Sequence, residues 1–105
     1  MNDYFDGFDE KFEPKNFNAY ELFKSDMDYI NDLMNIIVER NIVEKKPYFA
    51  HKELNNIEAE IGKIINHPYF LNAQDQIEIL SELVPIKLNA AKLKNRAYFK
   101  LEWEI

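Results

Sequence analysis

The sequence predicts a mainly α-helical domain, a bundle of three to four helices. Apolar residues recur three or four positions apart over two long stretches, which is the spacing of one helix face. The chain has only two glycines and four prolines, too few for a sheet-rich fold with many tight turns. At 105 residues and 47% apolar content, it is large enough for one modest core.

The first helix is predicted from an apolar seam that begins at Tyr20 and follows spacings of 3, 4, 3, 4 and 3. Asn18 is a good N-cap residue, and Glu21 stands where a capping-box partner belongs. Asn41 can close the helix after Arg40. The seam consists of Tyr20, Phe23, Met27, Ile30, Met34 and Ile37.

A second, shorter helix is predicted from about Ala50 to Asn66. Pro47 ends any helix before it, because the residue preceding a proline avoids the α region, and Pro68 terminates it. Gly62 within it costs about 1 kcal/mol relative to alanine unless a neighbouring helix packs closely there. Its stripe is Leu54, Ile57, Ile61 and Ile64.

A third helix is predicted to begin at Asn72 as N-cap, with Asp75 in the first turn, where negative charge is favourable. Its core stripe is expected to be Ile77, Leu80 and Val84. Pro85 then either kinks this helix or starts a fourth one, because proline is tolerated in a first turn. The face that continues beyond it is Ile86, Ala90, Leu93 and Ala97.

The last residues alternate between apolar and charged side chains. Phe99, Leu101, Trp103 and Ile105 are separated by Lys100, Glu102 and Glu104, a period of two that indicates a strand. A helical continuation through Ala97, Leu101 and Ile105 is also open. We predict helix to about Tyr98 and then a short C-terminal strand or extended tail.

Residues 1–16 are predicted to be an N-terminal extension to a helical domain at 17–105. The extension mixes acidic residues with the aromatics Tyr4, Phe5, Phe8 and Phe12. Such mixing is typical of segments that dock on another surface. These aromatics either lie on the domain's own core or anchor a partner, and the sequence leaves both alternatives open.

The net charge of −6 is unevenly distributed. Residues 1–39 hold ten acids and three bases, a net −7, whereas residues 40–105 hold nine acids and ten bases, a net +1. From Val84 to Leu101 there are five bases and no acid. The acidic and basic parts can neutralise each other within one chain, across a dimer or on a partner, and such asymmetry indicates association.

The residues that usually carry catalysis are missing or isolated. Cysteine is absent, and His51 and His67 have no metal-ligand spacing. No glycine-rich loop or serine elbow occurs. The carboxylate pairs Asp28/Asp32 and Glu78/Glu82 lack the histidines of a helical metal site. We therefore expect no enzyme, cofactor, metal site or catalytic residue.

Direct nucleic-acid binding is also not expected. Lys92, Arg96 and Lys100 would line one helix face, but the net charge of −6 repels phosphate. The sequence shows neither a signal peptide nor an apolar stretch that could span a membrane, so a cytoplasmic protein is expected. Frequent Asn, Ile and Lys suggest an AT-rich genome, compatible with a bacterial or phage origin.

The predicted function is a protein-protein interaction module that binds and inhibits or masks a basic protein. An immunity protein or antitoxin, or a phage-type inhibitor of a nucleic-acid enzyme, fits this description. Acids would steer the partner and aromatics would anchor it. The alternative is a structural helical homodimer or assembly subunit. The predicted partner-binding residues are Tyr4, Phe5, Asp6, Phe8, Asp9, Glu10, Phe12, Asp26, Asp28 and Asp32.

Overall fold

The computed structural model describes residues 17–104, with side chains through Leu101, and this part of the chain is helical without any strand. The mainly α-helical class is thus confirmed. The long helices α1, α3 and α5 pack on one another. Within residues 17–104, no helix is both long and apolar enough to cross a membrane. The helices are α1 (Tyr20–Glu39), α2 (Ile42–Lys45), α3 (Pro47–Ile65), α4 (Pro68–Leu71) and α5 (Gln76–Glu104).

The core forms where the predicted stripes of α1 and α3 meet, and both stripes are confirmed. In α1, Tyr20 is half-buried and the other five seam residues are buried. The predicted stripe of α3 is also buried, with Leu54 and Ile57 fully enclosed. Burying such a side chain contributes about 1.5–3 kcal/mol. The core stripe of α3 consists of Ala50, Leu54, Ile57, Ile61 and Ile64.

The start of α1 differs from the prediction of an Asn18 cap. The helix begins at Tyr20, and the N-cap residue is Ala19, which has no side-chain acceptor. Asp75 supplies the cap from elsewhere in the chain: its Oδ1 accepts from the Ala19 N–H at 2.9 Å and its Oδ2 from the Tyr20 N–H at 2.9 Å. Asn18 instead accepts from the Gln74 amide at 2.6 Å. A carboxylate at this site also matches the positive end of the helix dipole.

The turn between α1 and α3 uses residues that the sequence indicated. Asn41 adopts the left-handed conformation with φ 55° and ψ 43°, which asparagine tolerates after a helix end. The one-turn helix α2 follows. Helix α3 then begins at Pro47, three residues before the predicted Ala50, because proline lacks an N–H and fits a first turn. No neighbour lies within 4 Å of where a Gly62 Cβ would stand.

Helix α5 begins at Gln76 rather than near Asn72, and it is continuous through Pro85. The predicted stripe of Ile77, Leu80 and Val84 is wrong in register: Ile77 is 82% exposed and Val84 44% exposed, while Leu80 packs partly against the core. Two stripes of this helix are apolar, and packing against α1 and α3 selects the other one. That buried stripe is Ile79, Leu83, Ala90 and Ala97.

The predicted C-terminal strand is wrong for residues 99–104, which continue α5. The helix is held there by tertiary contacts. Ala97 is fully buried, and Lys100 Nζ lies 3.0 Å from Glu44 Oε1 on α2. These contacts stabilise the helical continuation that the sequence left open. Ile105 lies outside the described residues.

Candidate protein-binding surface on helix α1

Three of the ten predicted partner-binding residues lie in the described part of the chain. Asp26, Asp28 and Asp32 are all exposed on α1. The other seven precede Phe17 and lie outside the described residues; they are Tyr4, Phe5, Asp6, Phe8, Asp9, Glu10 and Phe12.

Asp28 and Asp32 belong to a larger acidic face. Glu21 and Glu39 follow the same helical spacing, seven residues to either side of the pair, so the four carboxylates lie on the side of α1 away from the core. All four are exposed. Helix α1 holds five acids and the single base Lys24, a net −4. Sequence reasoning missed Glu21 and Glu39, although their spacing could have indicated them.

Asp26 lies on a different stripe, which is largely apolar. It shares that stripe with Leu22, Tyr29, Leu33 and Ile36, at spacings of 4, 3, 4 and 3. Leu22 is 53% exposed, Tyr29 58% and Ile36 44%. The exposed half of α1 therefore carries two neighbouring stripes, one of carboxylates and one mainly of large apolar side chains.

An apolar groove continues this stripe between α1 and α3. Its volume is about 230 Å³. Phe49 on the α3 side is 50% exposed, so the groove offers aromatic and aliphatic surface. We call it the α1–α3 groove; it is lined by Leu33, Ile36, Ile37, Arg40, Ile42, Phe49 and Glu53.

The acids of α1 are weakly engaged within the described residues. Lys24 Nζ lies 3.5 Å from Asp28 Oδ2, and both side chains are more than half exposed. Exposed pairs at this spacing contribute only about 0.3–0.5 kcal/mol. The carboxylates of the acidic face are therefore accessible to a partner.

Tyr20, at the start of the same helix, contacts α5 instead. It donates to Glu82 Oε2 at 3.1 Å, and this hydrogen bond raises the pKa of Tyr20.

Three of the five bases of α5 are paired with acids on other helices. Arg96 and Lys100 both contact Glu44, and Lys94 Nζ lies 2.5 Å from Glu58 Oε1. Hydrogen bonds from Lys100 and Arg96 lower the pKa of Glu44. Two of the three cations proposed for a nucleic-acid-binding face are thus held by one carboxylate.

The remaining candidate groups have structural contacts. His67 caps α4, with its Nδ1 accepting from the Tyr69 N–H at 3.0 Å, and the His51 ring lies 6.4 Å from the Tyr98 ring. Among residues 17–101, no group of three or more His, Asp or Glu side chains could hold a metal ion. The described surface can form ion pairs, hydrogen bonds and apolar contacts.

The apolar seam of α1 is covered by the chain itself and is not a free surface for a homodimer. Five of its six residues are buried within the monomer, so a second copy would have to use another surface. Residues 99–104 are helical and so offer no strand edge with which a second copy could pair.

No protein-family model, no curated protein and no solved structure matches this chain.

Proposed function

We propose that this chain is a small acidic interaction domain, a helical bundle that binds a basic protein in the cytoplasm and masks or inhibits it. The observation that carries the proposal is the composite surface of α1. There an acidic face lies beside exposed Tyr29 and Ile36 and the α1–α3 groove. The partner class that fits is a nuclease-like toxin or another nucleic-acid enzyme, since such proteins are basic where they bind phosphate.

The two parts of this surface have different energetic roles. The carboxylates attract a basic partner at long range and mainly raise its association rate. Tyr29 and Ile36 can be desolvated on contact, and interface energy concentrates in such aromatic and apolar anchors surrounded by polar residues. Binding is therefore expected to weaken as salt rises and to depend on a few apolar side chains.

The charge prediction is tested by capture from lysate of the source cell at low and then moderate salt. The double variant Asp28→Lys/Asp32→Lys should lose a basic partner that the unchanged chain retains. Glu60→Lys/Glu78→Lys makes the same change in charge away from this face and should retain it. Equal losses would show that net charge alone governs the interaction.

The anchor prediction is tested with the purified partner by calorimetry. Tyr29→Ala should weaken binding about 30-fold, the loss of about 2 kcal/mol typical of a buried aromatic anchor. Tyr48 is 67% exposed on α3, so Tyr48→Ala removes the same side chain elsewhere and should leave affinity unchanged. An affinity that Tyr29→Ala leaves unchanged refutes this site. If sedimentation shows only self-association of the chain, the homodimer is favoured instead.

A further inference from the structure

Helix α5 presents apolar surface that the described core does not cover. Ile77, Val84 and Leu88 are 82%, 44% and 62% exposed, and their spacings of seven and four place them on one face. Beside this face, a groove of about 100 Å³ opens between α3 and α5. We call it the α3–α5 groove; it is lined by Ile61, Ile65, Leu80, Leu83, Val84 and Lys87.

The chain enters the described region at the same end of the domain. The Phe17 ring lies 5.6 Å from the Tyr69 ring on α4, and the Phe17 carbonyl accepts from the Gln74 N–H at 2.6 Å. Helix α4 joins the end of α3, where Ile65 lines the groove, to the start of α5. The residues before Phe17 are therefore attached close to the groove.

We propose that residues 1–16 occupy the α3–α5 groove of their own molecule. The aromatics Tyr4, Phe5, Phe8 and Phe12 would supply the apolar side chains that cover it. An extended segment of 16 residues reaches about 50 Å at roughly 3.3 Å per residue, whereas Ile77 to Leu88 spans about 17 Å of helix. The segment is thus long enough to follow the exposed face while remaining attached at Phe17.

Charge distinguishes this groove from the α1–α3 groove. Residues 1–16 hold five acids and two bases, a net −3. Lys87 lines the α3–α5 groove, and α5 has no acid from Val84 to Leu101. The α1–α3 groove contains Glu53 as well as Arg40, lies at the far end of α1 from Phe17 and borders the acidic face, which holds four carboxylates. An acidic segment is repelled there and attracted to α5.

This assignment gives the N-terminal aromatics a role within the chain instead of at the partner. It does not depend on the proposed function, because the partner surface on α1 is made of different residues. Either proposal can fail while the other stands.

The absence of cysteine from the sequence allows a direct distance experiment on the full chain. A nitroxide spin label is attached through Glu10→Cys, and methyl signals are recorded by NMR with the label oxidised and then reduced. The expected result is loss of the Ile61, Ile65 and Val84 methyl signals. The Leu33 and Ile36 signals should be retained, because these residues line the α1–α3 groove, which serves as the control. A mixture of spin-labelled chains without isotope enrichment and isotope-enriched chains without the spin label should show no loss of methyl signals, because the proposed contact is within one molecule.

A matched pair of variants tests the groove itself. Val84→Asp places a carboxylate at a half-exposed position and should restore the Ile61 and Ile65 methyl signals, whereas Ile36→Asp in the α1–α3 groove should not. The proposal is overturned if the label affects Leu33 and Ile36 instead, or if it affects neither groove. Signal loss in the mixed sample would also overturn it, since the occupant would then be a second copy.

Discussion

The carboxylate of Asp75 connects the start of α5 to the start of α1, and removing it should destabilise the whole domain. Its two oxygens accept from the Ala19 and Tyr20 N–H groups, both at 2.9 Å and across 56 and 55 residues of chain. In Asp75→Ala, both N–H groups lose their acceptor at a partly buried site. Ala19 itself has no side-chain acceptor, and among the described residues no second side chain accepts from these two N–H groups.

The size of the effect follows from two known ranges. Replacing an N-cap acceptor by alanine costs about 0.5–2 kcal/mol, and a hydrogen bond to a charged group contributes about 1.5–3 kcal/mol. Two such bonds, partly replaced by water after the substitution, place the loss at about 2–3 kcal/mol. For a domain of this size that lowers Tm by about 10–15 °C.

Urea unfolding followed by circular dichroism measures this loss. Asp32→Ala is the matched control, because it removes the same charge from an exposed position on the acidic face and should change stability by less than about 0.5 kcal/mol. Asp75→Asn keeps one oxygen acceptor and should fall between the two. If Asp75→Ala is as stable as Asp32→Ala, the cap does not stabilise the domain and the reasoning fails.

Three further predictions concern single positions on other elements. The pKa of Glu44 is lowered by hydrogen bonds from Lys100 and Arg96, so its stabilisation is present above its ordinary pKa of 4.5 and is lost as the pH falls through the lowered value. Glu44→Gln should therefore be less stable than the unchanged chain at neutral pH and equally stable in strong acid, as urea titrations at both pH values would show; a difference independent of pH contradicts this. Gly62→Ala meets no neighbour within 4 Å and should stabilise α3 by about 1 kcal/mol in thermal unfolding, and a loss of stability would reveal a hidden contact. Pro85→Ala restores an N–H donor inside α5 and should raise the free energy of unfolding by about 1–3 kcal/mol, whereas an unchanged value would mean that the helix already accommodates the ring.

The sequence predicted α1 and α3 well because each has one uninterrupted apolar stripe at helical spacing. On α1 the second apolar stripe, from Leu22 to Ile36, is interrupted by Asp26, so local periodicity was enough to select the buried one. In α5, both the Ile77–Val84 side and the Ile79–Leu83 side are apolar. Only packing against α1 and α3 decides which of the two sides is buried, and the local sequence of α5 does not contain that information.

The other differences also come from contacts between distant residues. A period of two at Phe99–Glu104 resembles a strand, but the buried Ala97 and the Lys100–Glu44 pair keep this stretch helical. Asn18 has the right chemistry for a cap, yet Asp75 provides it. Of the candidate site, the sequence indicated three of the five exposed acids of α1, Asp26, Asp28 and Asp32, but the α1–α3 groove combines residues from three helices and no single segment indicates it.

The buried side of α5 sets uneven limits on how this sequence could diverge. Ile79 and Leu83 fill the first half of the helix, whereas the second half contributes Ala90 and Ala97, both fully enclosed. Exchanges between Ile and Leu conserve volume and are tolerated, but a larger side chain at either alanine would force two helix axes apart. Chains descended from a common ancestor with this one could therefore change most of the surface and many core residues while retaining small residues at these two positions.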